Sequence, residues 1–127
     1  MPREVIRTPS APQPVGPYSQ AIMVNGLLFV SGQGAIDPNS GRLAGTDIQS
    51  QTRQTLTNVQ NIVEASGMSM RDLVRVAVYL KNMKDFKEMN EVYKSFFPDA
   101  PPARTTIQAE LPLPEMLIEI DAVAHRG

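Results

Sequence analysis

The chain has 127 residues, 42% of them hydrophobic, and a formal net charge of −1; this suits a single soluble domain with a real core and lacks the basic footprint of a nucleic-acid binder. With no cysteine and one histidine, His125, it excludes disulfides, thiolate nucleophiles and sulfur-ligated zinc, and it cannot build a histidine metal cluster. Met1-Pro2-Arg3-Glu4 opens no apolar run, and the longest unbroken one, Val76 to Leu80, is too short to cross a bilayer, so a cytoplasmic location with no membrane partner is expected.

A first short strand is expected at Glu4 to Thr8. Residues 8 to 20 then carry Pro9, Pro12, Pro14 and Pro17, which forbid helix and central strand alike. This loop ends at Tyr18, delivering a phenol to a strand end; a merely packed tyrosine is the alternative. Asn25-Gly26 between Ala21–Val24 and Leu27–Val30 predicts a tight hairpin, because both turn residues accept positive φ. After it, Ser31-Gly32-Gln33-Gly34 does not extend to a dinucleotide fingerprint: the third glycine would fall at Asp37, in a turn rather than at a helix start. Two readings of Ser31 and Gly32 stand: a hydroxyl and an uncluttered backbone offered to a small ligand, or a glycine needed only for backbone geometry.

Thr46 or Asp47 predicts the cap of a helix to about Ser66, with Leu56, Val59, Ile62 and Val63 facing inward, an amide-rich uncharged outer face, and Gly67 as the stop. Leu73 to Leu80 alternates as a strand. A second helix is expected from about Met83 to Phe97, with Phe86, Met89, Asn90, Val92, Tyr93, Phe96 and Phe97 on or near its apolar stripe. Asn90 is either a satisfied core amide or a group reaching a site at the helix edge. The last strand is expected at Leu117 to Ala124.

Arg104 is the most demanding residue. In Arg104-Thr105-Thr106-Ile107-Gln108 the two-residue period puts Arg104 and Thr106 on one face and Thr105 and Ile107 on the other. If the first face is solvent, Arg104 is an ordinary edge charge; if it is enclosed, the guanidinium needs an anion, and its planar fork suits a carboxylate or phosphate. Pairing of this strand with the last one as a hairpin would bring Glu119 beside Arg104. The element order β-β-β-α-β-α-β-β predicts an α+β fold, a six-stranded mixed sheet with two helices on one face. Strands apolar on both sides then imply a second copy against the other face. Such a cleft suits a small anionic substrate, with Arg104 as clamp and Glu119 as the proton-transfer group acting on water. A Ser-His-Asp triad finds no support.

Gly16-Pro17-Tyr18-Ser19-Gln20, Val30-Ser31-Gly32-Gln33, Gln51-Thr52-Arg53-Gln54, Asn90-Glu91-Val92-Tyr93, Pro102-Ala103-Arg104-Thr105-Thr106 and Ile118-Glu119-Ile120-Asp121-Ala122 together resemble the signature of the RidA (YjgF-type) reactive imine/enamine deaminase family. The resemblance implies a chorismate-mutase-like subunit in a homotrimer with a central β-barrel. It also implies hydrolysis of 2-iminobutanoate and 2-iminopropanoate, the latter derived from 2-aminoacrylate, to 2-keto acids and ammonia without cofactor or metal. By matching position, Arg104 would bind the substrate carboxylate and Glu119 would activate the water. Tyr18, Ser31, Gly32 and Asn90 would complete the pocket. Many members carry a cysteine where this chain has Thr106, which keeps the backbone amide for the carboxylate; altered rate or substrate preference is expected, not loss of activity. The alternatives are a non-catalytic small-carboxylate-binding or chaperone-like module and, ranked last on charge, an endoribonuclease or translation inhibitor.

Overall fold

The structure is a computed structural model and describes residues 2–126. Strands β2 (Ala21–Val24) and β3 (Leu27–Gln33) form the expected hairpin, with Asn25 at φ 51° and Gly26 at φ 77° supplying the left-handed turn. Strand β1 (Glu4–Ile6) pairs with β2 but stops before Thr8. The reason is a side chain: Thr8 donates its backbone N–H to Gln20 Oε1 (2.8 Å), while Gln20 Nε2 donates to the carbonyls of Thr8 (3.1 Å) and Pro12 (2.9 Å). A buried glutamine thus replaces the ladder and holds the proline-rich loop in place.

Helix α1 (Ile48–Ala65) starts where Asp47 accepts from the Ser50 N–H (2.9 Å), and Gly67 follows its end at φ 90°. After β4 (Leu73–Leu80), the long second helix expected from the periodicity is divided. Only Phe86–Tyr93 is α-helical (α2), between 3₁₀ turns at Met83–Asp85 and Lys94–Phe96. Polar side chains tighten both ends: Asn82 accepts from Lys84 N–H (3.2 Å), and Ser95 Oγ donates to the Val92 carbonyl (2.6 Å). Strands β5 (Ala103–Gln108) and β6 (Ile118–His125) complete a mixed sheet in the order β1-β2-β3-β6-β4-β5.

The topology corrects one expectation. β5 and β6 are not a hairpin; β4 lies between them, parallel to β5 and antiparallel to β6. The path β4–α2–β5 is a helical crossover, which delivers the next strand parallel to its predecessor at the sheet edge. Residues 109–117 then cross the end of β4, where Ala109 N–H bonds the Leu80 carbonyl (2.9 Å) and Lys81 N–H bonds that of Leu117 (3.0 Å).

Both helices cover one sheet face, where Leu28, Val76, Val78, Leu80, Ile118 and Ile120 are fully buried against Leu56, Val59, Ile62 and Met89. The opposite face carries Val5, Phe29 and Ile107, each 42–46% exposed, with half-buried Ile22 and Val123 between. The outer face of α1 keeps Gln49, Gln54, Gln60 and Asn61, as expected, but a second correction is that it also carries Arg53 and Glu64, while Gln51 and Asn58, like Thr52 and Thr55, are buried. Sequence periodicity counts amides as polar, but inside they are used to pin loops. Gln51 Nε2 donates to the carbonyls of Gly45 (3.2 Å) and Glu115 (2.9 Å), while its Oε1 accepts from Leu117 N–H (2.8 Å). Asn58 Nδ2 donates to the carbonyls of Gly34 (3.0 Å) and Ile36 (2.8 Å). Replacing Gln51 by Leu strands two carbonyls and an N–H at once, so a loss of roughly 2–4 kcal/mol is expected, read from the urea unfolding midpoint.

Candidate active site

Arg104 stands beside Val76 in the sheet register, and Val76 beside Ala122, so its side chain belongs to the face covered by the helices. The guanidinium carbon lies 4.6 Å from the ring centroid of Tyr93 and 5.6 Å from that of Phe86, and Nη1 lies 3.9 Å from Met89 Sδ. Phe86, Met89, Asn90 and Tyr93 follow the i, i+3, i+4, i+7 spacing of one helix face, which places half-buried Asn90 on the same wall. Two aromatic faces flank the cation and favour it electrostatically. Among the described residues no carboxylate pairs with it.

Polar groups around it are also uncommitted. Thr106, two positions on and on the same face, has a buried Oγ1 without a hydrogen-bond partner, as has the buried Tyr93 hydroxyl. Burial pushes the Tyr93 phenol pKa up, with the Arg104 guanidinium pulling the other way. This corner, edge strand below and α2 above, gathers a guanidinium and two buried hydroxyls.

Glu119 lies on the other side of the sheet. It stands beside Tyr79, itself beside exposed Ile107, so Arg104 and Glu119 of one chain occupy opposite faces and are not the neighbours a hairpin would have made them. The register between β3 and β6 shifts between Val30 and Gln33, and Ser31 and Gly32 fill that irregularity. A Cβ at position 32 would overlap Oε2 of Glu119 and lie 3.1 Å from its carboxyl carbon. Gly32 thus lets the carboxylate rest against the strand, and a side chain there would push it aside. Ser31 Oγ donates to the Ser19 carbonyl (2.6 Å) and Ser31 N–H to that of Gln20 (2.9 Å). These bonds lash the end of the proline loop, and with it Tyr18, to the bulge. Tyr18 is 48% exposed at a small cavity of about 100 Å³ shared with Arg7 and Gln13, and its hydroxyl accepts from Val15 N–H (3.4 Å).

The seven candidates thus fall into two groups: Arg104, Thr106 and Asn90 under α2, and Glu119, Gly32, Ser31 and Tyr18 on the uncovered side. Burial, and secondarily the charge of Asp121 on the same strand face, pushes the Glu119 carboxyl above its ordinary value. Asp121 accepts a hydrogen bond from Tyr79 Oη (2.8 Å), which in turn raises the phenol's pKa. Tyr79 meets Asp121 because β4 lies beside β6, a neighbour that the expected β5–β6 hairpin does not supply, and the aromatic walls of Arg104 carry in sequence only the spacing of a core stripe.

A six-stranded mixed sheet under two helices, with polar groups gathered at a bulge and at an edge, defines a small α+β protein of one known type. The family model described as Endoribonuclease L-PSP matches residues 8–126, and the chain belongs to this family, the YjgF/RidA type. A RutC family protein of Pyrococcus horikoshii is 48% identical over 124 residues, 98% of each chain. A 2-iminobutanoate/2-iminopropanoate deaminase of Dermatophagoides farinae is 40% identical over 123 residues, covering 96% of this chain and 95% of its own. The crystal structure of Escherichia coli TdcF with bound serine is similar with a TM-score of 0.93 at 37% identity, over 98% of this chain and 99% of that one.

A raised carboxyl pKa has a sign for stability. Folded Glu119 holds its proton more tightly than the unfolded chain does, so its contribution is favourable below the unfolded pKa and is lost as pH rises through the folded one. The neutral isostere Glu119→Gln is expected to raise the thermal midpoint at about pH 7.5 and to leave it nearly unchanged at about pH 4, measured by calorimetry at both.

Proposed function

We propose that the protein is a cofactor-independent 2-iminobutanoate/2-iminopropanoate deaminase, hydrolysing reactive imines and enamines from pyridoxal-phosphate enzymes to 2-keto acids and ammonia. It acts as a homotrimer of chorismate-mutase-like subunits whose sheets form a central barrel. The observation that carries this reading is the division of the candidate site: a guanidinium beside aromatic rings on one sheet face and a carboxyl of raised pKa on the other, joined by an apolar face that no other described residue covers. A second copy on that face buries it and brings one copy's Glu119 to the next copy's Arg104. The name of the mite relative and the serine bound to TdcF, an amino acid with its own carboxylate, support the same choice.

The chemistry follows from the residues. Arg104 takes the substrate carboxylate through paired N–H groups, its guanidinium set beside Phe86 and the buried Tyr93 and Met89. The Thr106 amide and the Asn90 side chain complete that end. Across the interface Glu119 takes a proton from water as the water oxygen bonds to the imine carbon and the C=N π pair moves to nitrogen. Glu119 then returns the proton to nitrogen, and the hydroxyl proton passes to the same nitrogen as the C–N bond breaks, leaving the keto acid and ammonia. Tyr18 and Ser31 border the water, and the missing side chain of Gly32 leaves room for the Glu119 carboxylate that holds it. Fixing water and imine side by side converts an encounter into an oriented attack.

Arg104→Ala and Glu119→Gln are each expected to abolish acceleration of keto-acid release when threonine dehydratase supplies the imine. Dissociated, mixed equally and reassembled, they should recover about a quarter of wild-type activity, because random assortment gives that share of clefts an intact Arg104 and an intact Glu119. No recovery from a well-folded mixed oligomer would overturn the shared cleft.

A further inference from the structure

Arg104 pairs with no carboxylate of its own chain among the described residues. Its guanidinium carbon stands 4.6 Å from the Tyr93 ring centroid and 5.6 Å from that of Phe86, and Nη1 lies 3.9 Å from the sulfur of Met89, a weak acceptor. All three wall residues come from one face of α2, at i, i+3 and i+7. The same helix carries carboxylates but keeps them outside: Glu88 and Glu91 are exposed, and Glu91 pairs with Lys94 at 3.0 Å. The guanidinium is thus held by ring faces and a sulfur, which leave its N–H fork for an anion from beyond this chain.

In the cleft made with a second copy, two anions compete for that fork: the substrate carboxylate and the next copy's Glu119. Glu119 is half-buried on the bare backbone of Gly32, and burial pushes its pKa up, so a guanidinium alongside would relieve it. A direct pair of the two would take the fork from the substrate and the carboxylate from the water, losing both halves of the site in one contact. The arginine side chain has ample rotamer freedom, so its backbone position alone does not prevent this.

We propose that Phe86 and Tyr93 are positioning residues for Arg104: their ring faces hold the guanidinium against α2 and so keep it from closing onto the next copy's Glu119 before substrate arrives. This rests on the shared cleft of the deaminase reading. Ring faces suit the task because they attract a cation without occupying its N–H groups. A carboxylate on α2 would hold Arg104 as firmly but would fill the fork itself. Substrate then enters between two groups kept apart, one ready for its carboxylate and the other for a proton.

The test is a binding cycle on the intact oligomer, with 2-oxobutanoate as the probe and calorimetry as the readout. Tyr93→Leu is expected to weaken binding roughly tenfold alone and less than about twofold when Glu119→Gln is also present, because a neutral amide competes poorly for the guanidinium. Tyr93→Phe keeps the ring and should retain most of the affinity. Within one chain a sheet separates Tyr93 from Glu119, so a merely structural role gives the same loss in both backgrounds. By ¹³C NMR the Glu119 carboxyl midpoint should fall in Tyr93→Leu and return when Arg104→Ala is added; Asp121 and Arg75, the charged neighbours on Glu119's own face, are common to every variant. Phe86 is 40% exposed, and Phe86→Leu repeats the cycle should Tyr93→Leu fail to assemble. Equal losses in both backgrounds, a Glu119 midpoint that Tyr93→Leu leaves in place, or a Tyr93→Phe protein as weak as Tyr93→Leu overturns the positioning role. Failure of Arg104→Ala and Glu119→Gln chains to complement would instead overturn the shared cleft, and with it any contact for the rings to prevent. Absence of imine hydrolysis in wild type would overturn the deaminase reading, and the binding cycle would still decide the role of the rings.

Discussion

The alternation of side chains across a strand is the constraint on which the rest depends. β4 stands between β5 and β6, and along it Val76 points toward the helices while Tyr79 points away. Arg104 inherits the first direction and Glu119 the second. No rotamer change can bring them together, because a pleated sheet lies between. Division of the candidate site is therefore a property of the register, and the uncovered apolar face is the same face that displays the carboxylate.

The two halves are desolvated in opposite ways. Arg104 keeps its charge between aromatic faces, which stabilise a cation without neutralising it. Glu119 has no such compensation; half-buried and near another carboxylate, it is driven toward its neutral form. A guanidinium with its planar fork suits binding of an anion, and a carboxyl whose pKa is raised by burial suits proton transfer. Gly32 belongs to this division, since any side chain there would displace the carboxyl from its seat.

Buried amides connect the core to both ends of the uncovered half. Gln20 organises the proline loop, whose end is tied to Ser31 and carries Tyr18. Gln51, inside α1, holds Glu115 and Leu117, two residues before Glu119 enters its strand. Each replaces a stretch of regular ladder with side-chain bonds, allowing irregular chain to be placed as firmly as a strand. The Gln51-Thr52-Arg53-Gln54 fragment that marks the family thus serves architecture at its first residue.

Local rules made much of this protein legible in its residues alone. Asn25-Gly26 determined the first hairpin, Asp47 and Gly67 the limits of α1, alternation the strands, and the ordered fragments the family, because each depends on neighbours in sequence. The two faces of β5 were read correctly, but which of them the helices cover was not legible. Tertiary structure decided that Gln51 and Asn58 turn inward, that the second helix breaks into 3₁₀ turns, and that Tyr79 meets Asp121. It also decided that Arg104 and Glu119 stand back to back. The last two depend on β6 entering the sheet between β3 and β4, a choice of partners made by burying the whole apolar face at once. Hydrophobic pattern specifies that a strand must pair; only the packed sheet specifies with which.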